Sequence, residues 1–356
     1  AGECRLQEFA LDHGRGYSRF VEEKNVKAKR RPLGPRVILD QERCILCSRC
    51  VRFCQEVMQE NVLGFFGQGS HTRLDCYPGE TLSSNYSLNT VDICPVGALT
   101  STDFRFKMRV WFLKQTPSIC TESSVGVNTT LWSREGKIYR ITPRSNDAVN
   151  QDWMSDSGRL RYHLLEEPGR LHLGEAEPME ARLLQAAQRL EKGRVAWITS
   201  GHASLEECFW LNRLRQAKPG PVYLVPCVGE DDGFLISADR SPNVRGAWVS
   251  GLVDHLDCFH LEALEAAIAR GEIDTLFILG KEAFALPKNV LTRVSVVYLG
   301  THWPVLPPEG ALGLPGQAVF EKKGSFVNRQ FRLQAFYPAV PAPKGVPSDW
   351  ESLQFL

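Results

Sequence analysis

Cys44, Cys47 and Cys50 follow one another at two-residue gaps, and Cys94 comes after 43 intervening residues, directly before Pro95. A Cys-x2-Cys-x2-Cys loop can wrap backbone around three corners of a small inorganic core. A distant Cys-Pro then brings the fourth thiolate. This is the ligand arithmetic of a four-iron, four-sulfur cluster. Cys54 extends the run, but Gln55 follows it, whereas the fourth cysteine of a bacterial ferredoxin run precedes proline. Cys54 is therefore read as a buried helix thiol. Arg43, Arg49 and Arg52 place positive charge beside the loop, which would favour the reduced, more negative cluster.

The elements that must hold these cysteines are short. Val37–Asp40 reads as a strand delivering the chain into the loop, and the residues after Cys50 read as a helix with Val51, Cys54, Val57 and Met58 on its apolar face. Residues 62–76 alternate apolar segments with glycines, as in Val62–Gly69, and suggest a strand and turn beside the site. Upstream, Glu8–His13 has helical character ending at Gly14. Lys24–Arg36 carries six basic residues with Pro32, Gly34 and Pro35, the composition of a solvated connecting loop. Cys76 has no partner at metal spacing and is expected to be structural.

The whole chain sets bounds on these readings. Its 356 residues allow two or three domains, and 43% apolar with 23% charged content is ordinary for a globular protein. A net charge of +1 gives no electrostatic case for nucleic acid or a membrane surface. The longest apolar runs are too short to cross a bilayer. With no secretory pattern at the start, eleven cysteines point to metal rather than disulfides, and to the cytoplasm. The histidines have no metal-ligand spacing.

The segments Ala1-Gly2-Glu3-Cys4-Arg5-Leu6-Gln7, Ser18-Arg19-Phe20 and Arg43–Phe53 resemble the large iron–sulfur (G-type) subunit of respiratory complex I. In that family Gly-Glu-Cys closes a His-x3-Cys-x2-Cys-x5-Cys motif for a second four-iron cluster. The resemblance gives Cys4 the place of its last ligand, with the others expected before Ala1. On this view the chain starts inside the motif, and Asp349–Leu356 begins a helix that stops short. A further cluster of some family members would need cysteines where this chain has Cys120, Ser123, Val127 and Ser155, so no metal is expected there. The scaffold around those positions, with Asn146, Asn150, Trp153, Asp156 and Arg159, resembles the family's. Lys137–Thr142 after Glu135-Gly136 is a hairpin signal.

Beyond Pro168-Gly169 the pattern becomes strand–helix–strand: Arg194–Ser200, a helix over Ser204–Ala217 with Leu205, Cys208, Phe209, Leu211 and Leu214 spaced for burial, and Val222–Val225. A helix at Leu261–Arg270 and strands at Asp274–Leu279 and Val294–Leu299 follow, as in a parallel sheet covered on both faces. Gly201 belongs to no Gly-x-Gly-x-x-Gly run, so dinucleotide binding has weak support. Asp239–Ala247 and Phe320–Arg329 resemble the molybdopterin-oxidoreductase fold, but no working molybdenum cofactor is expected. Cys208, Cys227 and Cys258 are read as core residues.

The expected architecture is α/β and α+β multidomain. A small ferredoxin-like iron–sulfur module at 1–108 precedes a molybdopterin-oxidoreductase-like entry domain at 109–166 that has lost its cluster ligands. A reduced α/β region with a parallel sheet occupies 167–356. The resemblance implies a non-catalytic relay subunit of NADH:quinone oxidoreductase, passing electrons from a flavin, NADH-binding subunit toward quinone-side iron–sulfur subunits. It would sit in a peripheral arm on the cytoplasmic side of the inner membrane, with no direct membrane insertion and no nucleic acid. An accessory electron-transfer subunit of an NAD-linked hydrogenase or formate dehydrogenase, which share the cluster module, is the alternative.

Overall fold

Val37, Ile38 and Leu39 are β-branched or apolar and alternate in burial, and they pair antiparallel with a second short apolar segment far along the chain. A computed structural model describes residues 4–174, 178–256, 261–284, 286–303 and 307–356. In it, β1 (Arg31–Pro32), β2 (Val37–Leu39), β3 (Leu63–Phe66), β4 (Arg73–Cys76) and β5 (Leu99–Ser101) make two small sheets. The first has the order β1-β2-β5 and the second is the β3-β4 hairpin. The expected Lys24–Arg36 loop thus contains a two-residue strand, β1, whose Arg31 and Pro32 pair with Leu39 and Ile38. The expected early helix spans Arg5–His13, with Cys4 as its N-cap and Gly14 as its C-cap.

The described chain forms two compact units. One comprises residues 1–115, 132–142 and 153–160, and the other residues 116–131, 143–152 and 161–356. β6 (Lys114–Ile119), β7 (Asn128–Arg134) and β8 (Lys137–Pro143) form a sheet in the order β6-β7-β8. The expected Glu135-Gly136 turn joins β7 to β8. Both residues have positive φ, 50° and 76°, as a two-residue type I′ hairpin turn requires.

The second unit is built on β9 (Val195–Ser200), β10 (Val222–Val225), β11 (Thr275–Leu279), β12 (Ser295–Gly300) and β13 (Leu312–Pro315). All are parallel, in the order β10-β9-β11-β12-β13. Alternate residues serve opposite faces, as strand geometry demands. Val195, Trp197, Phe277, Leu279, Val297 and Leu299 pack with Leu183, Ala186 and Leu190 of the helix Met179–Lys192 and with Cys208 and Leu211 of the helix Leu205–Ala217. Ala196, Ile198, Leu276, Ile278, Val296 and Tyr298 pack instead with Leu264, Ala267 and Ile268 of the helix Leu261–Ala269. Burial on both faces explains the nearly unbroken apolar strands. A hairpin of β14 (Gly324–Val327) and β15 (Leu333–Phe336) completes the unit.

Two side-chain expectations change. Phe209 is 49% exposed rather than part of the helix's buried stripe, which runs through Cys208 and Leu211. Cys227 is half-buried in the loop after β10 rather than in the core. Cys258 and His260 lie outside the described residues. Phe277 is fully buried at the centre of the parallel sheet. Phe277→Ala is expected to destabilise this unit by about 3–5 kcal/mol, and Phe209→Ala by under about 0.5 kcal/mol. Urea denaturation followed by tryptophan fluorescence separates the two.

Candidate metal centre

The pairing of β2 with β5 aligns Leu39 with Leu99. Cys44 lies five residues after Leu39 and Cys94 five before Leu99, so the antiparallel pair delivers both cysteines to one end of the sheet. A backbone bond from Asp40 N–H to the Ala98 carbonyl, 2.8 Å, extends the pairing toward them. Between Cys44 and Cys50 the chain turns tightly, with Leu46 (φ 54°) and Ser48 (φ 62°) both left-handed. Such backbone is strained for side-chain-bearing residues, and it lets the loop curl round what it encloses. A helix Arg49–Arg52 then carries Cys50 inward, and Phe53–Val57 continues it as a π-helical turn holding the fully buried Cys54.

Cys44, Cys47, Cys50 and Cys94 line one cavity. Its remaining wall is mainly apolar: Leu39, Phe65, Leu74, Val96, Ala98 and Leu99. Phe65 and Leu74 are directly paired across the β3-β4 hairpin, so the expected strand beside the site supplies one side of the cavity. Cys50 is buried, Cys44 and Cys94 are half-buried, and Cys47 is exposed. Burial pushes the Cys50 thiol up to about 12 and also raises the Cys44 thiol, against the opposing Leu46 backbone N–H. Among the described residues no three His, Cys, Asp or Glu side chains converge as one metal ion would require. Thiols spread round a cavity suit a multi-iron core better than a single ion, whose sulfur ligands all lie ~2.3 Å from one centre.

The three arginines differ in surroundings. Arg43 pairs with Asp40 at 3.3 Å and Arg52 with Glu56 at 3.0 Å. Arg49 lines the cysteine cavity. The other two cysteines of this region stand apart from that cavity. The Cys76 thiol donates to the Leu33 carbonyl at 3.3 Å, and burial pushes the Cys54 thiol up to about 12. Cys4 is buried at the start of its helix.

The segment leading to Cys94 is held by residues more than sixty positions downstream. Asn89 donates to the Met154 carbonyl at 2.9 Å and accepts from Arg159 at 2.8 Å, while Arg159 also pairs with Asp92. Asp156 accepts from the Ser87 hydroxyl and from the Leu88 N–H at 2.9 Å. Burial raises the Asp156 carboxyl, and those two donors oppose the rise. Trp153 packs on Phe53 with ring centroids 4.8 Å apart, tying the helix after Cys50 to the same clamp. No local pattern marks this clamp, although Trp153, Asp156 and Arg159 stand out in the sequence as polar or aromatic residues outside any periodic element.

At the four positions where a further cluster would need cysteines, Cys120, Ser123, Val127 and Ser155 are all buried. Cys120 is a buried thiol whose backbone N–H donates to the Val127 carbonyl at 2.8 Å. Ser123 donates to the Leu235 carbonyl at 3.2 Å, and Ser155 accepts from the Gly158 N–H.

The α/β unit holds a larger cavity, about 550 Å³, at the carboxyl ends of its parallel strands. His202 after β9, Cys227 after β10, Glu282 after β11 and His302 after β12 all reach it. Burial lowers His202, leaving a neutral imidazole, and pushes up the Cys227 thiol, which lies 4.0 Å from His202 Nδ1. Lys322 bridges Glu207 and Asp349 at 2.6 Å each. Both carboxylates stand in the first turns of helices capped by Ser204 and Ser348, where negative charge is favoured. Burial alone would lower Lys322, but Asp349 and Glu207 outweigh it and hold the ammonium charged. Glu207 is raised by burial despite Lys322.

Comparison with known proteins adds the family context. Residues 34–100 match the model for the ferredoxin-like domain of NADH-quinone oxidoreductase subunit 3. Residues 113–163 match that for the NADH-ubiquinone oxidoreductase NDSU1/NuoG-like 4Fe-4S domain. Cys120 is the one cysteine in the latter stretch. The G subunit of the Streptomyces coelicolor NADH-quinone oxidoreductase is 36% identical over 58% of this chain and 26% of its own length. The Rickettsia prowazekii protein of the same name is 35% identical over 60% of this chain and 33% of its own. The mitochondrial NADH dehydrogenase [ubiquinone] iron-sulfur protein 1 of Solanum tuberosum is 43% identical over 45% of this chain and 22% of its own. The chain thus spans about a third or less of these relatives. A solved NAD+-reducing [NiFe]-hydrogenase is 28% identical, covering 31% of this chain and 48% of its own, with a TM-score of 0.23, too low to bear on the fold. The architecture is that of ferredoxin-like iron–sulfur domains followed by an α/β region with a five-stranded parallel sheet.

Lys322→Met would leave Glu207 and Asp349 facing each other without their cation. It is expected to cost about 3–5 kcal/mol of stability near neutral pH. Burial already raises Glu207, and without the lysine it rises further above its unfolded value, so the loss is absent below the ordinary carboxylate range and grows as pH rises from there to the raised value. Denaturation of wild type and variant at neutral and acid pH measures this.

Proposed function

We propose that this chain is an iron–sulfur electron-transfer subunit of an NADH:quinone oxidoreductase-type complex, with Cys44, Cys47, Cys50 and Cys94 holding one [4Fe–4S] cluster. The observation that carries this reading is the convergence of those four side chains, and no other described cysteine, on one largely apolar cavity within the segment matching a ferredoxin-like domain. A bound cluster supplies reversible one-electron storage. The chain's own work is to fix four thiolates, to keep water from the inner face with Leu39, Leu74, Val96 and Leu99, and to set local charge through Arg49. Residues 1–108, 109–166 and 167–356 serve as cluster module, entry domain and structural α/β domain. Cys4 takes part in a second four-iron cluster where residues preceding it supply the remaining ligands.

The electron route runs from a flavin, NADH-binding subunit through this module toward quinone-side iron–sulfur subunits, in a peripheral arm on the cytoplasmic side of the membrane. No helix among the described residues is long and apolar enough to cross a membrane. The chain acts as a relay within the oxidoreductase and performs no bond chemistry itself.

Cys47→Ser is expected to abolish or severely weaken the low-temperature EPR signal of the reduced four-iron cluster and to lower bound iron, while Cys54→Ser preserves both. An unchanged spectrum in Cys47→Ser would sink the ligand assignment. Arg49→Glu is expected to shift the midpoint potential negative by on the order of 20–40 mV. Arg52→Glu is expected to shift it less. EPR-monitored redox titration compares them.

A further inference from the structure

Residues 104–114 read Phe-Arg-Phe-Lys-Met-Arg-Val-Trp-Phe-Leu-Lys, with four cations and no carboxylate. This stretch exposes large rings: Phe106 is 72% exposed, Trp111 62% and Phe112 54%. Globular surfaces scatter single apolar side chains, whereas here three exposed rings fall within seven residues and Trp111 and Phe112 stand with centroids 6.0 Å apart. Guanidinium groups lie over these and neighbouring rings. Arg105 stands 4.7 Å from the Phe106 ring, Arg109 5.7 Å from Trp111 and Arg134 4.9 Å from Phe112. Arg140 sits between Phe104 and Trp132, at 4.7 and 4.2 Å. All these residues belong to the unit that holds the cysteine cavity.

The backbone supplies an independent observation. Phe106 has φ 62°, a left-handed conformation that a bulky side chain rarely adopts. Such strain persists only where the surroundings enforce it, and it gathers at sites of function. Here its result is a phenyl ring held in water, with no apolar burial to recompense it.

We infer that the Phe106–Trp111–Phe112 surface is a docking site for an acidic segment of a neighbouring protein subunit. Aromatic rings interleaved with arginine are the composition of interface hot spots. Charge complementarity sets the partner's sign. Lys107 is paired with Asp103 at 2.9 Å and Arg134 with Glu135 at 2.9 Å. Among the described residues Arg109 and Lys114 form no ion pair, which leaves the rim positive. A nucleic-acid platform also mixes aromatics with cations, but it tracks a phosphate backbone with unpaired cations, and here Lys107 and Arg134 are already paired with Asp103 and Glu135. A carboxylate-bearing loop would take its charge partners from Arg105 and Arg109 and cover the rings between them.

The test places p-benzoylphenylalanine at position 106 of the full chain, in the assembly purified from cells that express it, followed by irradiation and mass spectrometry. The expected adduct is a peptide of a co-purifying subunit rich in Asp or Glu, and its yield should fall at least tenfold with Arg105→Glu and Arg109→Glu together. Adducts to lipid or nucleic acid, adducts to a peptide lacking carboxylates, or no adduct would each overturn the inference. The EPR signal of the reduced cluster, recorded on the same samples, reports folding and the electron-transfer reading separately. A retained signal without the acidic adduct refutes the docking site alone.

Discussion

Bringing Cys94 to the cavity of Cys44, Cys47 and Cys50 across 43 intervening residues depends on a backbone register, because thiols cannot search for each other across a flexible chain. The antiparallel pairing of Val37–Leu39 with Leu99–Ser101 meets that need. Three pairs of residues fix which end of the sheet receives the Cys44 loop and which receives Cys94. A one-residue slip would turn Leu39 and Leu99 from the inner to the outer face. It would also move Cys94 out of line with Cys44. The β3-β4 hairpin and the clamp at 153–160 both act on this arrangement, one by walling the cavity and the other by fixing the approach to Cys94.

That Cys44, Cys47 and Cys50 share a cavity with Cys94 was foreshadowed by the two-residue gaps of the first three and by the Cys-Pro pair of the fourth. The early helix, the Glu135-Gly136 hairpin and four of the five parallel strands were legible for a similar reason, since each rests on a turn residue or a run of β-branched positions. β13 escaped because Leu312-Gly313-Leu314-Pro315 carries glycine and proline, and edge position alone makes such a strand tolerable. The helix Met179–Lys192 did have a signal, in the spacing of Met179, Leu183, Ala186 and Leu190. The clamp had none. Asn89, Asp156 and Arg159 acquire their roles only when chain segments distant in sequence meet.

The α/β unit shows the same contrast between pattern and long-range chemistry. Alternation along β9, β11 and β12 explains two apolar faces and two helical layers. Nothing in that alternation foretells Lys322 joined to two helix starts by Glu207 and Asp349. Two capped helix N-termini meeting one buried ammonium fix the Phe320–Lys323 segment against both helices. The cost of burying that charge is offset only while both carboxylates remain. This makes the network a specifier of one arrangement more than a source of stability.

The clamp on Asn89 also sets an order of events during synthesis. A ribosome releases residues in sequence, at roughly 5–20 per second. When Cys94 emerges, Met154, Asp156 and Arg159 have not yet been made, so the Ser87–Asp92 turn lacks its partners. The first three cysteines can curl into their loop early, whereas the fourth is positioned only seconds later. Placement of the fourth cysteine is therefore tied to completion of a segment that does not line its cavity.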